Sequence, residues 1–530
     1  MKKSLILAAI FTSSFFVSCD EKGLLEPFTP GSLTEDVAIK TSTDLQNLLN
    51  TSYALLFTRE EAVFTSVFTD EAAIGFANGG QGITQEYVFF LNPSSTGPNA
   101  IWNSCYFSLA RANRVIAYAD KITPLDAADA DKINRMKAEA LILRAYAHLK
   151  ILSYFSTDMK DDNALAGILA DRVIPTSESG LSRATNGAFY TSIHADIDSA
   201  LTIYNSFTSD PFASTNKTFF ANPIFGKALK ARAYAYKGDY TNAEVWADQV
   251  IASGISLATT AQYKSLFWSE SEPANTEVIF RLKRTGPQNG QGSNMHNGWC
   301  SIRPAVAGSP FYEVGRGLFN RLNPSNVAGS QFASQSDVRL HTICAPSSVV
   351  DPAYLTSTAY KDSDKLILHK YGGVATGSTT WATTATNGNN NDFKVCRISE
   401  MYLIKAEARA AAGDLTGAAA AVHAVNAARN TVAPAVPVYS NVTAAWAGIL
   451  DQRRVEFAFE GFRFLDLKRL AGLAGVTALD RHPMDYDSVG GFNFPGANPS
   501  NLPMNSYKFA MPIPISELNA NPGIVQNPQY

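Results

Sequence analysis

Residues 228–251 read ALKARAYAYKGDYTNAEVWADQVI, and the pattern within them returns 175 positions later (406 minus 231). Ala231, Ala233, Ala235, Gly238, Asp239, Ala243 and Val250 recur with identical spacing as Ala406, Ala408, Ala410, Gly413, Asp414, Ala418 and Val425. Both copies read as helix, Gly-Asp turn, helix. Alanines at these steps let two antiparallel helices approach closely, and the glycine supplies the left-handed residue that ends the first helix.

The A-x-A-x-A run and the G-D-[YL] turn resemble the turn region of a tetratricopeptide repeat. Two copies so far apart do not make a regular solenoid. They predict a mostly α fold, a tetratricopeptide-like helical scaffold with a large irregular insertion and little β. Apolar residues at three- and four-residue steps predict further helices over 42–57, 102–119, 135–155 and about 186–204. Residues 58–100 carry Gly75, Gly79, Gly80, Gly82 and Pro93 between aromatic clusters and read as loops. The insertion, 261–395, is rich in Gly, Ser, Thr and Asn and holds only short strand-like pieces such as 278–282. Long loops on a rigid scaffold are where binding residues usually sit.

At the N-terminus, Lys2 and Lys3 precede the apolar stretch from Leu5 to Val17 and then Ser18-Cys19, the order of a secretory signal. That stretch is too short to span a bilayer, which takes about 20 apolar residues. Phe16-Val17-Ser18-Cys19 resembles a bacterial lipobox, although Phe16 is bulkier than the usual aliphatic residue. Cys19 is therefore the expected lipidation site, since several acyl chains at about 0.8 kcal/mol per buried methylene anchor stably. The expected organisation is a signal peptide over 1–18, a lipidated tether over 19–41, an N-terminal helical region over 42–260 and a C-terminal region over 261–530. The last divides into loop-rich 261–395, helical 396–470 and an irregular tail, 471–530. Asp20-Glu21-Lys22 directly after the cysteine resembles a surface-export signal.

The chain of 530 residues has 44 Lys plus Arg against 47 Asp plus Glu, a formal charge of -3, which argues against a nucleic-acid partner. Charged residues are only 17% and aromatics 11%, a surface suited to neutral polar ligands. Apart from Cys19, the cysteines 105, 300, 344 and 396 are widely spaced, without a C-x-x-C. They read as buried thiols, with one disulfide left open.

No H-E-x-x-H, G-x-S-x-G, Walker loop or dinucleotide fingerprint is present, so no catalytic residue, metal or cofactor is expected. His296 and Cys300 lack further ligand partners, and Asn387 to Asp392 lacks the spacing of a calcium loop. Glu460 with Arg463, Asp466 with Arg469, Arg135 with Glu139 and Arg397 with Glu400 stand three or four apart and read as ordinary helix ion pairs, solvated or orienting neighbouring helices. Sugar binding needs flat apolar faces and planar polar groups. Trp268, Trp299, Phe311 and Tyr312 fall in the irregular middle, with Asn294, Asn297 and Arg303 among them, and Tyr87 lies in the other loop-rich stretch. Those five aromatics are the candidate ligand-binding residues.

The C-terminal third contains Arg397-Ile398-Ser399-Glu400-Met401-Tyr402-Leu403-Ile404-Lys405-Ala406-Glu407-Ala408, Val425-Asn426 and Arg429. Arg453-Arg454-Val455-Glu456-Phe457-Ala458-Phe459-Glu460-Gly461-Phe462-Arg463 and Asp466-Leu467-Lys468-Arg469 come next, and the chain closes on Met511-Pro512-Ile513-Pro514, Glu517-Leu518 and Gln526-Asn527-Pro528-Gln529-Tyr530. The N-terminal half adds Trp102, Tyr106 and Asn113, then Glu139-Ala140 with Arg144-Ala145-Tyr146, Arg183, Asp196-Ile197 and Ala200; Asp337-Val338-Arg339 and Lys370-Tyr371 agree. In this order the motifs resemble the SusD/RagB family of outer-membrane nutrient-binding lipoproteins over nearly the whole mature chain. Ser156-Thr157-Asp158 departs from the family's glycine-aspartate-proline turn.

The resemblance implies a helical scaffold that sits against a SusC-type TonB-dependent transporter, with loops that capture glycans or other nutrients. It implies a lipid-anchored, surface-exposed protein of the outer membrane that binds and does not catalyse. Two rivals remain: a glycan-degrading enzyme on a helical scaffold, and a helical-repeat protein that binds only protein.

Overall fold

Both copies of the repeated motif fold into the same helix, turn and helix. In the computed structural model, which describes residues 35–56, 59–75, 86–175, 177–213, 215–268, 277–283, 311–351, 353, 364–371, 392–482, 485 and 501–530, Gly238 has φ +84° and Gly413 φ +77°. In both turns the following aspartate donates its backbone N–H five residues back, Asp239 to Tyr234 and Asp414 to Arg409, each at 2.9 Å. Each aspartate side chain then caps the next helix, Asp239 accepting from the Asn242 amide and Asp414 from the Gly417 amide. Glycine is required for the hand of the turn, and aspartate for the start of the second helix. A Cβ on Gly413 would meet nothing within 4 Å. Gly413→Ala is therefore expected to cost about 1–2 kcal/mol from backbone strain alone, read as a lower urea midpoint with an unchanged helical circular dichroism spectrum.

The helices are α1 (Glu35–Ala38), α2 (Ser42–Leu55), α3 (Arg59–Val67), α4 (Thr96–Ala119), α5 (Ala127–Phe155), α6 (Asn186–Ser206), α7 (Pro223–Lys237), α8 (Tyr240–Ile251), α9 (Thr260–Trp268), α10 (Arg316–Leu322), α11 (Val338–Ile343), α12 (Ile398–Ala411), α13 (Leu415–Ala428), α14 (Val442–Glu456), α15 (Arg463–Leu470) and α16 (Ile515–Ala520). Three two-stranded antiparallel pairs complete the described part: β1 (Ala72–Ile74) with β3 (Tyr312–Val314), β2 (Val278–Leu282) with β4 (Phe393–Arg397), and β5 (Ala478–Asp480) with β6 (Asn501–Pro503). The mostly helical expectation holds.

Packing follows the chain: α2 on α4, α4 on α5, α5 on α6, α6 on α7, α7 on α8. From there α8 packs on α12, which carries α13 and α14, and α15 packs on α14 and returns to touch α3. The two copies of the motif are thus neighbours in space. The alanines line this contact, with Ala231, Ala233, Ala243, Ala406, Ala410 and Ala418 fully buried or nearly so. At its edge Lys405 pairs with Asp248 at 2.8 Å, and deeper Arg232 makes two bonds to Glu400 at 2.7 and 2.6 Å. One connected apolar core runs from Leu45 to Ile524, and Phe225 of α7 stacks on Phe280 of β2 at 4.3 Å.

The structure corrects two expectations. The stretch 58–100 is not all loop: α3 occupies its beginning, burying Ala62, Phe64 and Val67. The glycines that suggested loops all come after that helix.

The charges of the C-terminal motif are also not solvated. Glu456 and Glu460 are buried within a knot of four cations, Arg339, Lys370, Arg397 and Arg429, and four carboxylates, Glu277, Asp337, Glu456 and Glu460. Arg397 donates to Glu456 at 2.7 Å and to both oxygens of Glu460 at 2.8 and 3.0 Å. Arg429 reaches Glu277 and Glu456 at 2.8 Å each and lies over the Tyr263 ring at 4.3 Å. Glu400 turns to Arg232, not to Arg397, and Arg463 turns to Asp70, not to Glu460. The pairs Asp466 with Arg469 and Arg135 with Glu139 do form. Helical spacing identifies which charges are near each other on one helix; a second element at closer range wins the contact.

Candidate functional site

The knot ties the irregular middle to the helical frame, because Glu277, Arg339 and Lys370 belong to the former and Glu456 and Glu460 to the latter. Beside it the chain segments flanking the loops converge. Strand β1 pairs with β3 in the register Ala72↔Val314 and Ile74↔Tyr312, and Gly75 donates its N–H to the Phe311 carbonyl at 2.7 Å. Tyr87 lies 6.5 Å from the Tyr312 ring, and its hydroxyl donates to the Asp485 carbonyl at 3.0 Å. Segments more than 390 residues apart in sequence (|i−j| of 398) therefore meet at one place.

Arg481 holds this junction together. Its Nε donates to the Thr69 carbonyl at 2.8 Å, Nη2 to Val67 at 2.7 Å, and Nη1 to the Tyr87 carbonyl. The first two are carbonyls at the end of α3, where backbone acceptors lack helical partners and a cation is favoured. The guanidinium also lies flat over Tyr87 and Phe89, 4.1 and 4.3 Å from the ring centres. Phe89 adopts φ +58°, and Tyr371, whose ring stacks on Phe393 at 6.2 Å, adopts φ +65°. Left-handed bulky residues persist only where surrounding structure determines them. Here their rings are fully buried.

On the other side, the Arg316 N–H donates to the Asp485 carboxylate at 3.0 Å, while its guanidinium pairs with Asp364 and donates to Asn320 at 3.0 Å. Glu313 accepts the Leu366 N–H at 2.8 Å.

These contacts sort the candidate aromatics. Tyr87 and Tyr312 are buried, so neither offers a free stacking face: Arg481 covers one ring, and strand pairing encloses the other. They are walls that fix the place. Phe311 is half-buried. Trp268 ends α9, its side chain outside the described residues. Trp299, with Asn294, Asn297, Arg303, His296, Cys300, Cys19, the tether before residue 35 and the 387–391 run, lies outside them too. Sequence reading missed Arg481, Arg316 and Asp485. Their signal was weak, single charged residues in stretches without periodicity.

The Glu456 carboxylate at the centre of the knot acts as a strut. Burial alone would raise the Glu456 carboxyl, but the Arg429, Arg397 and Arg339 guanidiniums hold it well below the ordinary range. An acid so ionised has no proton to give a glycosidic oxygen. Cys105, Cys344 and Cys396 are buried free thiols. Among the described residues no three of His, Cys, Asp and Glu converge on a metal-holding geometry, and no helix is long and apolar enough to cross a membrane.

A solved SusD superfamily protein from Bacteroides thetaiotaomicron VPI-5482 superposes with TM-score 0.69 at 21% identity, over 92% of this chain and 100% of its own. A structure described as a laminarin binding SusD-like protein gives TM-score 0.63 at 22% identity, over 93% and 100%. The helical frame with its irregular middle is thus the SusD superfamily fold. In sequence, residues 348–530 match the SusD family model, and residues 32–218 match one described as starch-binding associating with outer membrane. The SusD-like protein P2 of Formosa agariphila is 23% identical over 554 residues, covering 97% of both chains. The chain belongs to the SusD/RagB family.

Proposed function

We propose that this protein captures an oligosaccharide at the cell surface and delivers it to a SusC-type TonB-dependent transporter, held at the outer membrane by lipid on Cys19. The observation that carries the reading is the junction itself. Phe311 is half-buried where its carbonyl accepts the Gly75 N–H, next to the paired Tyr312 and to Tyr87, which Arg481 and the Asp485 carbonyl hold, on a frame braced by the buried knot. Rings on rigid supports bind sugars at little entropic cost. Trp268 and Trp299 belong to the same loop-rich middle and supply the further flat faces. The matching family model described as starch-binding and the solved structure described as laminarin binding support a glycan as the ligand class.

The test is affinity for soluble glycans by calorimetry, with the mature chain and its Phe311→Ala and Trp299→Ala variants. Each substitution is expected to weaken binding about tenfold, as loss of roughly 1.4 kcal/mol of ring contact does, with the helical circular dichroism spectrum retained at the assay temperature. Unaltered affinity in a variant removes that ring from the site. Cys19→Ser should release the protein from the membrane fraction, and co-purification of the wild type with a barrel partner tests delivery.

A further inference from the structure

Between the end of α6 and the start of α7 the chain encloses an open cleft of about 400 Å³. That lies within the range of small-ligand pockets, roughly 300–1,000 Å³. Its apolar wall is Tyr204, Phe207 and Phe212, with Phe207 half-buried and its ring centre 6.4 Å from that of Tyr204. Its polar rim includes the exposed Ser209, Asp210 and Lys217.

The cleft is built rather than incidental, since four elements hold its loop. The Tyr53 hydroxyl accepts the Ala221 N–H, and the Tyr204 hydroxyl donates to the Ala221 carbonyl, both at 2.8 Å. Asn222 donates to the Lys217 carbonyl and to Ile279 of β2, both at 3.0 Å. Arg135 of α5 donates to Pro211 at 3.3 Å and sits 5.7 Å from the ring centres of Phe212 and Phe220. Its other face is fixed by Glu139 at 3.2 Å, which in turn accepts from Tyr53 at 2.6 Å.

We propose that this cleft is a second binding site that takes one neutral sugar unit, stacked on Phe207 and hydrogen-bonded by the Ser209, Asp210 and Lys217 rim. A ring face matches pyranose C–H groups. Rim charges of opposite sign favour an uncharged polyol, because an anionic sugar meets Asp210 and a cationic one Lys217. The site rests on the reading of the protein as a glycan binder, and adds a place apart from the Phe311 junction.

The experiment uses the full mature chain with maltohexaose and laminarihexaose at millimolar concentration, read by calorimetry and by hydrogen exchange of peptides covering 204–224. Glycan should slow exchange there in the wild type and in Phe311→Ala alike. Ser209→Trp, which fills the cleft without removing a core ring, should abolish that protection, and Phe207→Ala should weaken affinity about two- to tenfold. Binding without protection at 204–224, together with unchanged affinity in Ser209→Trp, overturns the second site alone. If neither sugar binds the wild type, the glycan reading fails and this site fails with it.

Discussion

Replacing Arg397 with methionine is expected to remove about 3–5 kcal/mol of stability, the cost of taking one partner from a buried ion cluster. That is a large share of the roughly 5–15 kcal/mol that holds most domains folded. Arg397 is fully buried, and its guanidinium spans Glu277, Glu456 and Glu460. Without it four carboxylates face three cations, and three of the four, Glu277, Glu456 and Glu460, are buried. Methionine keeps much of the volume, so the loss measures charge and hydrogen bonding more than packing. The urea midpoint and the yield of soluble protein are the readouts. Adding Glu460→Gln to Arg397→Met should recover part of the loss, since it restores the charge balance at three and three. A double variant as unstable as the sum of both single variants would show that the two residues act independently and that the knot is not one unit.

The second large effect depends on pH. Burial pushes the Glu71 carboxyl up to about 8, with the Asp70 carboxylate adding to it against the Ser66 hydroxyl and the Phe459 N–H, which donate to it at 2.9 and 3.2 Å. In the unfolded chain it titrates near 4.5. The folded state therefore holds the proton more tightly, and the stability this gives is complete below pH 4.5 and lost as pH rises through about 8. Glu71→Gln keeps the shape and the two accepted hydrogen bonds but has no proton to lose. The variant should match the wild type at pH 4.5 and exceed it increasingly up to pH 9, by several kcal/mol at about 1.4 kcal/mol per pKa unit. Subtracting one urea curve from the other cancels the remaining groups, including Lys468, whose amine burial pushes down to about 7. A constant difference across that range would place the Glu71 titration elsewhere.

Both effects come from residues whose partners lie far away in sequence. Helix existence was legible because it is local: the three- and four-residue apolar steps, the alanine runs and the Gly-Asp turns carry their own physical cause. α3 was missed because glycines and aromatics further along the same stretch outweighed nine residues of weak periodicity. The pairings of Glu400 and Arg463 were misread because i,i+3 and i,i+4 spacing ranks neighbours on one helix. It cannot rank them against Arg232 or Asp70 arriving from another.

The aromatic candidates show the same division. Composition and loop content pointed to the middle of the chain, and the structure does bring Tyr87, Phe311 and Tyr312 together. Which ring is covered depends on Arg481, a single residue in a stretch without a period, so nothing local could announce that Tyr87 is a wall. The α6–α7 cleft went unnoticed for a related reason. Its walls come from a helix end and a loop, and its rigidity from Tyr53, Arg135 and Asn222, at three distances along the chain.

By itself the sequence determined the mostly helical frame, the repeated hairpin with its two left-handed glycines, and the family, because each is written in short-range order or in the succession of motifs. Only the tertiary structure decided that the two hairpins are neighbours, that the charges of the C-terminal motif are buried struts, and that Phe311 is half-buried where Tyr87 and Tyr312 are buried. Those outcomes turn on burial and on competition among partners distant in sequence, which exist only once the chain has closed on itself.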